Sequence, residues 1–161
     1  MANRSKEEMV RLGLLGLTPF VLAAVALWLS PWLIPMYIAL DFHQIALLYG
    51  AIIVAYLAGA GAGAFLAPQS GVRESFLPGQ LITLVAFVAA LPNGVFFLSL
   101  GGAWRQLIIL VLLIYLLMRD FAAASIGALP KWYVNLRVRL TFWAGLAIVL
   151  IMSRLVLWGY Y

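Results

Sequence analysis

The sequence predicts an all-α protein, an integral membrane bundle of five transmembrane helices with the N-terminus inside and the C-terminus outside. Hydrophobic residues make up 66% of the 161 positions, and charged residues only 9%. A soluble domain carries about 25% charged residues, and a chain this apolar could not cover its surface with them. In a bilayer, a long apolar segment satisfies its own backbone polar groups by forming a helix.

Five apolar runs are close to the length of about 20 residues that a helix needs to cross the hydrocarbon core. They form a single transmembrane domain over residues 1–161, and the predicted spans are residues 12–29, 45–67, 77–100, 104–125 and 136–158. Pro19 is expected to kink the first helix near its start. Pro92, followed by Asn93 and Gly94, predicts a kink in the third helix, with the freed carbonyl bonded by a neighbour.

The distribution of lysine and arginine predicts the orientation, because short inner loops carry an excess of these residues. With five spans, eight basic residues lie on the side of the N-terminus: Arg4, Lys6, Arg11, Arg73, Arg119, Lys131, Arg137 and Arg139. The opposite side has Arg105 and Arg154. Because the basic residues lie between apolar runs rather than in a patch, they indicate membrane topology and not a nucleic-acid partner.

Small residues recur at every fourth position of the second predicted helix. They form the small-residue ridge, which consists of Ala51, Ala55, Gly59, Gly63 and Ala67. A GxxxG pair such as Gly59 and Gly63 lets another helix backbone approach closely. Packing within the chain's own bundle is the preferred interpretation, and docking of a partner protein is the alternative. Tyr49 and Tyr56 share a different face of this helix.

A basic segment precedes the last predicted helix. Its residues of interest are Pro130, Lys131, Trp132, Tyr133, Arg137 and Arg139. Aromatic rings and long basic side chains are typical of membrane interfaces, so this segment is predicted to anchor the chain at the inner head groups. Asp120 is expected to pair with Arg137, or with Lys131, as a structural clamp across the turn.

The sequence carries no recognisable catalytic, cofactor-binding or metal-binding set, and we expect the protein not to be an enzyme. There is no cysteine, which excludes thiolate metal sites and disulfides. The single histidine, His43, lies two residues from Asp41, and the pair is interpreted as part of a polar interface loop. Arg154, inside the last span, is expected to snorkel to the outer interface; contact with a lipid phosphate or a partner carboxylate is the alternative.

The segment Leu129-Pro130-Lys131-Trp132-Tyr133, with Leu136-Arg137 and Leu140-Thr141 after it, resembles the transmembrane protein 69-like family, catalogued as a domain of unknown function. Leu12-Gly13, Gly16-Leu17 and Pro19-Phe20 are similar to its first-helix pattern, and Tyr49-Gly50-Ala51 to its second. Asp120 stands where the family tends to carry an acid. The resemblance implies a five-helix protein of bacterial or mitochondrial inner membranes, and no established activity. Ala55, Gly61 and Ala62 depart from the family's serine and His-Trp pair.

The absence of converging polar groups favours a structural or accessory subunit of a larger membrane assembly. A respiratory or photosynthetic electron-transfer complex is one host that fits. The alternative is a small transporter or a lipid-handling membrane protein. The expected partners are therefore the lipid bilayer and other proteins of a complex, in the bacterial inner membrane or, alternatively, the mitochondrial inner membrane.

Overall fold

The computed structural model describes residues 2–66, 77–92, 95, 100–127 and 129–159 of the chain. Within these ranges it is all-α and contains no strand. The helices are α1 (Ala2–Leu15), α2 (Thr18–Leu29), α3 (Met36–Leu66), α4 (Leu77–Ala90), α5 (Gly102–Ser125) and α6 (Lys131–Leu157). Four described segments are long and apolar enough to cross a membrane: Glu7–Leu29, Met36–Gly63, Gly102–Ser125 and Trp132–Leu157. The prediction of an all-α membrane protein is therefore confirmed.

The first predicted span is interrupted in the structure, but not by a kink at Pro19. A turn at Gly16 and Leu17 separates α1 from α2. Pro19 lies in the first turn of α2, where the missing backbone N–H has no helical partner to lose. Thr18 donates its hydroxyl hydrogen to the carbonyl oxygen of Leu15 across this break. The helix therefore restarts at the proline instead of bending around it.

Helix α3 begins at Met36, nine residues before the predicted start of the second span. Pro35 directly precedes it, a position that suits a helix start. The added turns have a buried face that includes Ala39 and His43. The prediction that Asp41 and His43 lie in a loop is wrong, because the buried face of α3 extends through this segment.

Helix α4 ends at Ala90, and Leu91 and Pro92 are not helical, so the prediction of one continuous helix from residue 77 to residue 100 is wrong. Pro92 disfavours the helical conformation of the residue before it, which stops the helix rather than kinking it. Asn93 and Gly94 lie outside the described residues. The 14 residues of α4 correspond to about 21 Å, less than the hydrocarbon thickness of about 30 Å.

The last two helices agree closely with their predicted spans. Gly101 and Pro130, both extended, precede the first residues of α5 and α6. Gly127 has a φ of +80°, a conformation that glycine adopts without strain, and it turns the chain between these helices. Glycine and proline therefore set these boundaries as the sequence indicates.

Successive helices from α2 to α6 alternate in direction. At one end, the end of α2 lies beside the end of α6, where Arg154 bonds to Leu27 and Ser30. At the opposite end, Asp120 of α5 bonds to Arg137 of α6. Between these ends the core is formed by fully buried side chains: Phe20, Leu27, Leu47, Val54, Ile109, Ile148, Ile151 and Leu155.

Candidate functional site: an amphipathic cavity

A cavity of about 460 Å³ lies at the Arg137 end of the bundle, between α1, α2, α3, α5 and α6. Its walls are mostly apolar, with side chains such as Leu12, Phe20, Ile53, Leu113 and Ala144. Polar groups are also present in the wall, contributed by Glu8, Tyr49, Tyr56, Tyr133, Arg137 and Thr141. The cavity therefore combines a large apolar surface with a small set of hydrogen-bonding groups.

Two glycines let the first helical segment close over the cavity. A Cβ atom at Gly13 would lie 2.8 Å from Cδ1 of Leu140 on α6. A Cβ atom at Gly16 would lie 3.1 Å from the hydroxyl oxygen of Tyr49 on α3. Small residues permit this close approach of helices, since no side chain separates them.

One face of α3 supplies the next wall. Tyr49, Ile53 and Tyr56 all line the cavity, and their spacing of four and then three residues places them on one side of a helix. The ring of Tyr49 packs edge-on against Phe20, with 5.5 Å between the ring centroids. Tyr49 and Tyr56, which the sequence analysis placed on one face of the helix, therefore both belong to this cavity wall.

Helix α6 contributes a polar stripe along its cavity face. Tyr133, Arg137 and Thr141 are spaced by four residues, which aligns them along one side of the helix. The structure brings Arg137 and Asp120 together: Nε of Arg137 donates to Oδ2 of Asp120 over 2.8 Å. The sequence analysis named Thr141 only within the family resemblance and gave it no role, although its four-residue spacing from Arg137 was a signal that could have found one.

Two polar atoms of this stripe are buried without a hydrogen-bond partner in the described part of the chain. They are Nη2 of Arg137 and Oγ1 of Thr141. Arg137 is 6% exposed and Thr141 is 7% exposed, so neither side chain is solvated from outside the bundle. Buried polar atoms in native proteins nearly always have a partner, and an exception often marks a ligand or water position. Both residues line the cavity, so a ligand bound there would lie beside them.

The charges around the cavity are nearly balanced. Arg137 is the cationic side chain in the cavity wall, and the carboxylate of Asp120 already compensates it. Glu8 adds an exposed carboxylate to the wall formed by α1. The site therefore offers hydrogen-bond donors without an uncompensated positive charge. Across the described residues, no three His, Asp or Glu side chains are grouped to hold a metal ion.

The two glycines of the small-residue ridge lie three and seven residues after Tyr56, on the same side of α3 as that residue. Ala51 and Ala55 are half-buried, whereas Gly59 and Gly63 are exposed. No atom of the described residues lies within 4 Å of a Cβ built at either glycine. Ala67 lies outside the described residues. The preferred interpretation, packing of these glycines inside the chain's own bundle, is therefore wrong for the described part of the structure.

The inner face of α3 is a neighbouring row of small residues. Gly50, Val54 and Ala58 are buried and also repeat every four residues. This row is offset from the ridge by one residue, or about 100° around the helix. A Cβ atom at Gly50 would lie 2.8 Å from Cγ2 of Ile109 on α5. Two rows with the same spacing cannot be distinguished from the sequence without knowing which one faces α5.

Two further arginines bond to the carboxyl-terminal ends of helices. Arg154 donates to the carbonyl oxygens of Leu27, over 3.2 Å, and Ser30, over 2.6 Å. Its guanidinium also lies 4.8 Å from the ring centroid of Trp158. Cations are stabilised at helix C-termini, where carbonyl groups lack helical partners. The expectation of simple snorkelling is therefore corrected to a contact within the bundle.

Arg105, near the start of α5, is buried and bonds to the end of α4. It donates to the carbonyl oxygen of Ala89 over 2.7 Å and to that of Leu91. Gln44 donates to the carbonyl oxygen of Ala90 over 3.3 Å. Side chains from α3 and α5 thus bond to the carbonyl groups at the end of α4.

His43 is buried near this end of the bundle, on α3. Its Nδ1 lies 3.2 Å from the amide nitrogen of Gln106. A Cβ atom at Gly102 would lie 2.9 Å from Nε2 of His43, so the ring fits against the start of α5. Asp41 is exposed on the same helix. This arrangement makes His43 a packing and hydrogen-bonding residue between α3 and α5.

The basic segment of α6 divides into buried and exposed residues. Pro130 is the N-cap of α6, and the rings of Trp132 and Tyr133 lie 6.1 Å apart. Arg139 is exposed, whereas Arg137 is buried and paired. Since the two arginines are two residues apart, they point to nearly opposite sides of the helix. Arg137 is therefore held inside the bundle, and anchoring of this segment at the inner head groups stays a prediction.

Comparison with known proteins identifies one family. The family model described as protein of unknown function (DUF3429) matches residues 5–153. This match agrees with the expected relation to an uncharacterised domain-of-unknown-function family. No curated protein and no solved structure matches the chain.

Proposed function

The chain belongs to the DUF3429 family, and we propose that it is a membrane protein that binds an amphipathic molecule of the bilayer in the cavity between α1, α3 and α6. The observation that carries the proposal is the pair of buried, unpartnered polar atoms on Arg137 and Thr141, two residues that line a mostly apolar cavity. This function falls within the lipid-handling alternative that the sequence left open.

The size and composition of the cavity support binding. Sites for small molecules commonly measure about 300–1,000 Å³ and combine apolar walls with a few placed polar groups. The volume of about 460 Å³ and the polar stripe on α6 fit that description. An apolar chain would pack against the walls while a polar head bonds to Arg137 and Thr141. The proposal is one of binding, without a chemical step.

Two adjacent isoleucines provide a matched test. Ile53 lines the cavity, whereas Ile52 is 64% exposed on the outer face of the same helix. Protein purified in mild detergent is extracted, and the retained amphipathic molecules are quantified by mass spectrometry. We expect Ile53→Trp to reduce the retained amount at least fivefold by filling the cavity, and Ile52→Trp to leave it unchanged. Equal retention in the wild type and in both variants would refute the proposal.

A second candidate function is an accessory subunit of a larger membrane assembly. The observation that favours it is the exposed face at Gly59 and Gly63, which the described residues leave uncovered. Gly63→Leu should then leave the isolated protein stable but reduce its recovery in a large complex after native purification. Gly127→Leu is not a suitable control because of its positive φ. Ala122→Leu, at an exposed position on α5, is suitable. Unchanged recovery for Gly63→Leu would remove this candidate.

The cellular setting remains part of the proposal. Apolar helices place the chain in a membrane, and the resemblance to the transmembrane protein 69-like family favours the bacterial inner membrane, with the mitochondrial inner membrane as the alternative. A respiratory or photosynthetic electron-transfer complex is the host proposed for the accessory role. Fractionation of inner and outer membranes, with the protein detected by an epitope tag, tests the location.

A further inference from the structure

The hydrogen-bonding groups of the cavity also select the head of its occupant. We infer, on the basis of the proposed function, that the bound molecule has an uncharged head with carbonyl oxygens on a long apolar chain. Prenylated quinones and acylglycerols share this chemistry. An anionic head, as in a fatty acid or phosphatidic acid, is disfavoured.

The first step of the argument concerns the type of partner that is missing. Arginine nitrogens only donate hydrogen bonds, so Nη2 of Arg137 requires an acceptor. Oγ1 of Thr141 lies one helical turn further along α6 on the same face, and it can donate to the same head or accept from it. An oxygen acceptor on the ligand satisfies both residues, whereas a saturated hydrocarbon satisfies neither.

The second step concerns charge. Asp120 bonds Nε of Arg137, and the side chains are 15% and 8% exposed, so the pair is largely withdrawn from solvent. The pair is neutral as a unit. A second carboxylate or a phosphate beside it would be an uncompensated charge in a medium of low dielectric constant. Glu8, in the same cavity wall, adds repulsion for an anion. A neutral carbonyl oxygen meets the need for an acceptor without this penalty.

The third step concerns shape and surroundings. The polar stripe occupies one side of the cavity, while Leu12, Phe20, Ile53 and Leu113 form the other walls. The head is thus held against α6, and the chain extends along apolar side chains or leaves the cavity toward lipid. Tyr49 and Tyr133 also line the cavity, and aromatic side chains in the wall suit a planar or ester group.

A ligand-preference experiment tests the inference. The wild-type protein in phosphatidylcholine nanodiscs is titrated with decylubiquinone, dioctanoylglycerol, oleate and dioleoyl phosphatidic acid, and binding is followed by the shift of the unfolding temperature. We expect at least one of the two neutral probes to bind tenfold or more tightly than both anionic probes. The neutral probe that binds identifies the source, a quinone or an acylglycerol.

Two substitutions assign the preference to this site. Thr141→Val removes the hydroxyl but keeps the shape of the side chain. It should weaken the binding of the preferred neutral probe about fivefold to tenfold, which corresponds to the loss of one hydrogen bond. Thr83→Val is the matched control, because Thr83 lies on α4 and bonds to the carbonyl oxygen of Gly79. Asp120→Asn leaves the charge of Arg137 uncompensated and should shift the preference toward oleate. If Asp120→Asn does not fold, the comparison of Thr141→Val with Thr83→Val and the ligand preference of the wild type still test the inference.

The outcomes separate the head-group inference from the proposed function. If the wild type bound oleate or phosphatidic acid as tightly as the neutral probes, or more tightly, the inference of an uncharged head would be overturned. The proposed binding function would remain intact. Equal effects of Thr141→Val and Thr83→Val would likewise overturn the assignment of the head to α6. Failure of all four probes, together with unchanged retention in Ile53→Trp, would overturn the proposed function itself.

Discussion

Three arginines within the apolar helices have partners inside the bundle. Arg137 bonds to a carboxylate, whereas Arg105 and Arg154 bond to carbonyl oxygens at the ends of α4 and α2. Burying a cation away from water is costly unless it is paired or hydrogen-bonded. Each of these contacts offsets part of that cost and fixes one helix against another.

The pair of Asp120 and Arg137 gives a prediction about stability. Asp120→Ala removes the carboxylate and leaves a buried guanidinium, a change that costs about 3–5 kcal/mol in soluble proteins. The double variant Asp120→Ala/Arg137→Met carries no buried charge and should recover most of this loss. The free energy of unfolding is measured by denaturant titration in mixed micelles. A double variant no more stable than the single one would contradict the clamp.

The contacts of Arg105 give a second prediction. Arg105→Leu leaves the carbonyl oxygens of Ala89 and Leu91 without this donor, and each orphaned buried group costs about 1–3 kcal/mol. Arg139→Leu is the matched control, because Arg139 is exposed on α6. We expect the unfolding temperature to fall for the first variant and to stay near the wild-type value for the second. Equal shifts would show that Arg105 does not support the end of α4.

At the scale of helices, the sequence predicts best where the boundary chemistry is local. Gly101, Gly127 and Pro130 mark the ends of α5 and α6, and those helices agree with their predicted spans. The early start of α3 and the break before α2 were not predicted, because they depend on tertiary contacts. His43 is buried only when α5 packs over it, and the Gly16 turn lies against Tyr49.

In the candidate site too, the sequence predicts local contacts but not contacts between distant segments. The pair of Asp120 and Arg137 could be predicted from the sequence because a short turn joins their helices. The cavity could not, since its walls come from segments far apart in the chain, such as Leu12, Tyr49 and Thr141. The small-residue ridge illustrates a third case, in which the pattern was read correctly but the face it occupies was not.

The two rows of small residues on α3 give a prediction at this scale. Gly50→Ala places a Cβ atom 2.8 Å from Ile109, and overpacking of this kind costs about 1–3 kcal/mol. Gly59→Ala meets no described atom and should leave the free energy of unfolding of the isolated protein unchanged or slightly higher, because alanine favours helix. The comparison uses unfolding in mild detergent. A larger loss at Gly59 than at Gly50 would reverse the assignment of the inner face.

For the whole molecule, the topology depends on whether α4 crosses the membrane. Because the chain has no cysteine, single introduced cysteines report accessibility without background. With five crossings and an inner N-terminus, a cysteine at Ser125 is labelled only from inside and one at Trp32 only from outside. Trp32 is 89% exposed in the connection between α2 and α3, and Ser125 is exposed at the end of α5. Labelling of both from the same side would indicate four crossings.

The central claim is that a membrane amphiphile accepts a hydrogen bond from Arg137 inside the cavity. Nuclear magnetic resonance of the arginine guanidinium groups, with ¹⁵N-labelled protein in nanodiscs, tests it most directly. On addition of whichever neutral probe binds, the signals of Arg137 should shift in proportion to occupancy, whereas those of Arg139 should not; Arg137→Lys assigns the signals. Saturating ligand that leaves the Arg137 signals unchanged, or moves those of Arg139 instead, would contradict the account.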